Sequence, residues 1–392
     1  MFTLFSFARF NFSHLKDSLT TTREKQKLIE LLELNNLFYP VYNNRNFSNH
    51  ISMSLNVLYQ LGACSERMES HFESLKKTKE IRQQDSHKVI ITENNLKRYQ
   101  NDTGVTNYDE FRQFFQDYAN KNGIYSTIQL ALENFNQNIG SHLFHVIIRL
   151  QYAFQINYKE EIISSLAYLA VKQLTLPDIQ DAQEGNILDI LEEFSNNVDL
   201  FKYPEDLNPT NIYSQPAFQK LYKKTTQISE KEFEKLFEKL VDFYLKVQLL
   251  QQNENNPRLN IVMIHLITGL YSLQVFLKNY KGNQVKNVIQ NFFIAFLCYY
   301  VTIRLPILTS KIQLTDNVGP YYFEEVKEDI SQYIIDRQKW ETWEEIVKKG
   351  TKSDDVHTLK LVYVLKQLGQ KYRNINNQCK LAAVWKIQFE KK

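Results

Sequence analysis

Chain breakers are scarce in this sequence. Among 392 residues only 10 are glycine and 8 are proline, too few for the many tight turns of a sandwich or barrel. Cysteine is scarcer still. Cys64, Cys298 and Cys379 share no metal-type spacing, and an odd, sparse set supports no disulfide framework and suits a reducing compartment. No basic block is present. Net charge is +3, and the charge-rich stretch 72–88 mixes both signs, so the electrostatic footprint of a nucleic-acid binder is missing. No repeat of fixed period implies a solenoid, and no segment alternates with period two for long. Two apolar stretches, 259–277 and 288–303, approach the roughly 20 residues of a membrane span. They carry His265, Gln274, Gln290 and Asn291 and read as buried core helices.

What the chain has is apolar and aromatic bulk. Hydrophobic residues make up 43%, with 26 Phe and 23 Tyr, enough for a sizeable core. Apolar residues recur at helical spacing along most of the chain, from 20–36 through 50–63, 65–80, 105–174, 187–198, 229–252, 258–278, 282–304, 321–336 and 338–348 to 355–370 and 376–391. The expected class is all-α, a single large multi-helix bundle over 23–392 with a buried polar site between helices. Residues 203–216, with three prolines, are the best candidate hinge. Residues 1–22 form an N-terminal arm. Its first acidic residue is Asp17, and Arg9, Lys16 and a phenylalanine-rich side give it features of a mitochondrial presequence; a first strand or docked arm fits equally. The compartment stays open between cytoplasmic and mitochondrial.

The polar residues inside apolar helices are the sharpest signal. His14, His71 and His87 lie in polar or terminal settings and read as surface residues; His142, at a helix start, is ambiguous. His50, His145, His265 and His357 each sit among apolar neighbours on a separate helix. A lone histidine of this kind is ordinarily a core residue with one satisfied hydrogen bond. Four of them all need polar partners, and one shared metal would serve all four, since neutral imidazole is the commonest metal ligand and helix bundles build such sites from facing helices. In "DDVHTLKLVYVLKQLG" (354–369) Lys360 lies one turn from His357. A buried amine loses its charge readily. A neutral amine can take up carbon dioxide as a carbamate, which would make the lysine an anionic oxygen ligand. Against this, Lys360 could carry its ammonium to the surface or pair with Asp354 or Asp355.

Four segments carry a family resemblance. "LLELNNLFYPVYNNRNFSNHISMSLNVLYQLGACSERM", with an Asn-His pair opening a helix that ends in Leu-Gly-Ala, "FHVIIRLQYAFQINYKEEIISSLAYLA", "HLITGLYSLQVFL" and "DDVHTLKLV" resemble, in order, the motifs of the questin oxidase-like family across residues 28 to 370. The resemblance implies an all-helical oxygenase that opens rings of anthraquinones and related polycyclic aromatics without a flavin-binding fold. By position it implies His50, His145, His265, His357 and Lys360, carboxylated, as ligands of a non-haem iron(II). Dioxygen would be co-substrate and NADPH a candidate reductant. The partner is a small aromatic molecule; no nucleic acid and no membrane span are expected, while a protein assembly is compatible. Under this reading Arg149 orients an enolate or phenolate oxygen, the alternative being a structural ion pair. Tyr152 and Thr268 act as donors that fix a ring tautomer or orient a ligand. The sequence departs from the family pattern at Met53, Val146 and Gln155, which bears on substrate and on the ligands' surroundings. Two other readings stand beside it: an inactive helical scaffold or accessory subunit of a larger assembly, and a haem or small-molecule binder using one axial histidine.

Overall fold

The structure, a computed structural model, describes residues 22–42, 47–79, 89–100, 106–172, 174, 209–222, 229–251, 261–302, 341–388 and 390. The expected arm at 1–22 falls outside these residues apart from Thr22. So do the helices expected at 187–198 and 321–336, and His14 and His87.

The described chain is all-α. Fifteen α-helices run in order: α1 Thr22–Asn35, α2 Ile51–Gln60, α3 Ser65–Lys76, α4 Tyr108–Asn122, α5 Ile124–Phe135, α6 His145–Ile156, α7 Lys159–Val171, α8 Pro209–Tyr213, α9 Pro216–Tyr222, α10 Glu230–Gln251, α11 Ile261–Asn279, α12 Val285–Thr302, α13 Trp343–Gly350, α14 Val356–Lys371 and α15 Asn376–Gln388. One short antiparallel pair, Val41–Tyr42 with Phe47–Ser48, lies in the stretch before α2. The expected hinge is partly helical: α8 and α9 occupy most of its second half and the residues beyond. The reason is positional, since Pro209 and Pro216 stand at the first residue of each helix, where a missing N–H costs nothing and a fixed φ assists.

Four helices form the inner ring. α2 packs on α6, α6 on α11, α11 on α14, and α14 back on α2. The ring is buried by a second shell, with α1 and α3 against α2, α7 against α6, α12 against α11, and α13 and α15 against α14. α11 is apolar all round, and every residue from Val262 to Leu277 is buried. It is long and apolar enough to cross a membrane by composition, yet its apolar window is 89% buried inside the molecule, as expected of a central core helix.

The entry to α6 is unusual. A 3-10 turn, Asn136–Gly140, leads into His142, Leu143 and Phe144, which have φ of 52°, 52° and 64°. Left-handed backbone costs a non-glycine residue roughly 1–2 kcal/mol, so three in succession must be held by their surroundings. Gly140 helps, because a Cβ there would lie 2.2 Å from Ala295 Cβ. Its absence lets the turn sit directly against α12. Gly269 on α11 leaves the dent that receives the Phe144 ring, whose Cγ would be 2.8 Å from a Cβ at that position.

Candidate metal centre

The inner ring brings His50, His145, His265 and His357 to one point, with one ligand atom from each lying within 4.8 Å of all the others. The helices converge there by their starts. His50 caps α2, His145 is the first residue of α6, His357 the second of α14, and His265 the fifth of α11. His145 Nε2 stands 2.8 Å from His50 Nε2 and 3.0 Å from His265 Nε2. His357 closes the group, its ring centroid 4.9 Å from that of His50 and 5.1 Å from that of His265. His145 and His265 are buried, while His50 and His357 keep part of their surface accessible.

The tautomers follow from what lies outside the cluster. Helical side chains lean toward the helix N-terminus, so a ring near a helix start meets a carbonyl three or four residues upstream. His145 Nδ1 donates to the His142 carbonyl, and His265 Nδ1 donates to the Ile261 carbonyl at 2.7 Å. The Ser48 backbone lies beside the His50 ring and favours its protonated form, against the larger effect of burial. His357 Nδ1 faces Asp355 Oδ1 at 3.4 Å. Carbonyl oxygens only accept, so the outer nitrogens of His145 and His265 carry the protons and their Nε2 atoms present lone pairs. His357 Nε2 is buried with no hydrogen-bond partner.

The lone pairs of His145 Nε2 and His265 Nε2, facing one another at 3.0 Å, repel unless a cation lies between them. Two nitrogens bound to one ion at about 2.0–2.1 Å sit about 2.8–3.4 Å apart for bond angles between right-angled and tetrahedral. The donor set and its spacing therefore fit a metal ion, and the orphaned His357 nitrogen fits a further ligand. Burial holds His50, His145 and His265 well below the ordinary histidine range, with Lys360 and neighbouring imidazoles adding to the effect. Burial also brings His357 down to about 4, against the pull of Asp355. Neutral rings are what a metal requires.

Lys360 is fully buried, and its Nζ lies 3.5 Å from His265 Nε2. Burial lowers its pKa to about 7. It neither reaches the surface nor forms an ion pair with Asp354 or Asp355. Asp355 is engaged elsewhere: it caps α14 by accepting from the His357 N–H, accepts from the Thr358 hydroxyl, and pairs with Lys386 at 2.9 Å. Burial alone would raise the Asp355 carboxyl, yet His357 and Lys386 hold it well below the usual carboxylate range. The loop that delivers it is clamped by Arg67, whose guanidinium donates to the Thr351 and Ser353 carbonyls and pairs with Asp354.

The remaining expected site residues take other positions. Arg149 is buried, and its Nε and Nη2 engage both oxygens of the buried Glu161, at 2.7 and 3.1 Å. The geometry is that of the ion-pair alternative. Thr268 donates back to the Ile264 carbonyl at 2.8 Å, as hydroxyls in mid-helix do. Tyr152 keeps a buried hydroxyl without a partner. Among the described residues, no hydrogen bond to these rings comes from Tyr152 or Thr268; backbone carbonyls occupy the outer nitrogens of His145 and His265, and Asp355 faces that of His357. His71 differs from its expected surface setting, and His142, which the sequence left ambiguous, takes a definite one. His71 is fully buried on α3 rather than on the surface, through packing of α3 on α1 and α2, and burial lowers it to about 4. His142 joins Ser48 and Tyr168, and burial lowers it to about 3.

A pH dependence follows. Histidines held neutral in the fold protonate near 6.5 in the unfolded chain. They take up protons on unfolding, so their contribution to stability is fully present above about pH 6.5 and is lost as pH falls toward the folded values. Each contributes up to about 1.4 kcal/mol per pH unit in that window. The Tm of metal-free protein is expected to drop steeply between about pH 7 and 5. A flat Tm in calorimetry across this range would contradict neutral burial of these rings.

These observations define an all-helical protein with an inner cluster of four histidines that could hold a metal ion. The chain belongs to the questin oxidase-like family, whose model matches residues 47–365, a span that includes all four histidines and Lys360. No curated protein matches it. Membership points to an oxidoreductase of oxygenase type.

Proposed function

We propose that the chain is a non-haem-iron oxygenase that oxidatively opens a ring of a polycyclic aromatic or quinone-like substrate. The observation that supports this reading most directly is the set of converging, proton-free imidazole nitrogens beside a buried amine. His50, His145, His265 and His357 would hold iron(II), for which an imidazole-plus-oxygen set is suited. When bound, the iron supplies activation of dioxygen, with reducing equivalents drawn from a donor such as NADPH.

The chain's own residues do the rest. Lys360 Nζ, neutral when deprotonated, would add to carbon dioxide: the new N–C bond forms as one C=O π bond opens, the nitrogen's proton passes to solvent, and the resulting carbamate oxygen would supply the anionic ligand. Three of the helices begin within a residue or two of the centre, and the partial positive charge of helix N-termini favours such an anion and neutral imidazoles. The partly accessible edges of His50 and His357 mark the side from which substrate and oxygen arrive. Tyr152, about 10 Å along α6 from His145, offers an unpaired hydroxyl to an oxygen of an extended planar substrate. Arg149 acts as a positioning residue through Glu161.

The test is metal content. Protein loaded with iron(II) without oxygen and then desalted is expected to retain about one iron per chain, as a single cluster of ligands implies. With carbon-13-labelled bicarbonate, wild type is expected to show a carbamate signal that Lys360→Ala lacks. Wild-type protein that takes up no iron and is equally stable without it would sink the oxygenase reading and favour a scaffold.

A further inference from the structure

One ligand imidazole is oriented by a backbone carbonyl, and the residue that carries it touches the strand residue beside a second. His145 donates to the His142 carbonyl, and the Ser48 backbone lies beside His50. The side chains of these same two residues meet in a three-way contact with Tyr168. Ser48 Oγ lies 3.2 Å from His142 Nδ1 and 2.8 Å from Tyr168 OH, and Tyr168 OH lies 3.1 Å from His142 Nδ1. Ser48 and Tyr168 are buried.

A second clamp acts on the same turn. The Leu143 N–H donates to Tyr299 OH at 3.0 Å, and that hydroxyl donates to the Gly140 carbonyl at 3.1 Å. One phenol thus bridges the turn at both ends. Tyr299 lies one helical turn beyond Ala295, the residue against which Gly140 packs. Phe144 is wedged between Gly269, Phe292 and Tyr299, with ring centroids 4.6 and 5.2 Å from the two aromatics. The left-handed backbone of His142, Leu143 and Phe144 is what aims the His142 carbonyl at His145. Relaxing it to an ordinary conformation would turn that carbonyl elsewhere.

We propose that Tyr168 and Tyr299 are positioning residues for the metal centre: Tyr168, through Ser48 and His142, fixes the imidazole of His145, and Tyr299 holds the left-handed turn that makes this alignment possible. The proposal rests on reading the histidine cluster as a metal site. Groups that orient a metal-bound histidine from outside typically account for 10–100-fold in metal affinity.

The experiment uses the full chain and cobalt(II) as probe. Tyr168→Phe and Tyr299→Phe each remove one oxygen and keep the ring. Both are expected to bind cobalt(II) about 10–100-fold more weakly than wild type and to shift the d–d absorption bands of the loaded protein. A purely structural loss would lower Tm and leave those bands in place, so the spectrum decides. Should Tyr168→Phe fail to fold, Ser48→Ala opens the same three-way contact and carries the same expectation. Wild-type affinity and spectrum in the folded variants would overturn the inference alone. A wild type that binds no cobalt(II) or iron(II) would overturn the metal-centre reading and the inference with it.

Discussion

His265→Ala is expected to abolish metal retention, taking iron from about one per chain to none detectable after desalting. His265 stands in the middle of the cluster, with its Nε2 3.0 Å from His145 Nε2 and 3.5 Å from Lys360 Nζ. Removing it takes away one ligand and also the hydrogen-bond partner of the buried amine. The loss is specific to the loaded state. In metal-free protein the variant relieves the facing of lone pairs, so its stability is expected to fall less than the roughly 2–5 kcal/mol that truncating a large buried side chain ordinarily costs. Iron analysis together with urea unfolding of apo and loaded forms separates the two effects. Retention of stoichiometric iron by His265→Ala would contradict the proposed ligand set.

Arg149→Ala is expected to cost about 3–5 kcal/mol of folding stability, because it leaves the Glu161 carboxylate buried and unpaired. The guanidinium donates to both carboxylate oxygens, and the pair joins α6, which carries His145, to α7. Burial alone would favour the uncharged form of Arg149, and Glu161 holds it charged. The double variant Arg149→Met with Glu161→Leu is expected to recover most of the loss, since apolar replacement of a whole buried pair is often neutral. Equilibrium unfolding of the three proteins checks this. A single variant of wild-type stability with impaired substrate turnover would instead return Arg149 to the reacting centre.

Much of the fold was legible because it depends on local pattern. The helix pairs around 141–174 and the all-round apolar helix at 258–278 declare themselves in periodicity and length, and scarce breakers leave little room for another class. The four inner histidines stand out for a related reason, as polar groups in apolar runs that require an explanation. Their family motifs lie in order along the chain, and the family match, residues 47–365, covers three of them whole and the first from Phe47 onward.

What surrounds those histidines was much less legible. Asp355 leaves a faint trace, as a capping residue two positions before His357, but nothing local says that its carboxylate turns to the imidazole and to Lys386 rather than to Lys360. Ser48, His142 and Tyr168 lie 94 and 26 residues apart along the chain, and no spacing rule links them. His71 looks polar by its neighbours and is buried only because α3 docks on α1 and α2.

Helix periodicity and burial cost are local properties, so the helical class and the side chains that cannot be buried without a partner are readable from the residues alone. The tertiary structure alone decided that four rings share one point, which nitrogen each presents, and that Arg149 engages Glu161, because these depend on how helices distant in sequence pack. Orientation of a hydrogen bond is set by the acceptor that the folded chain brings within reach, and that acceptor is rarely a sequence neighbour.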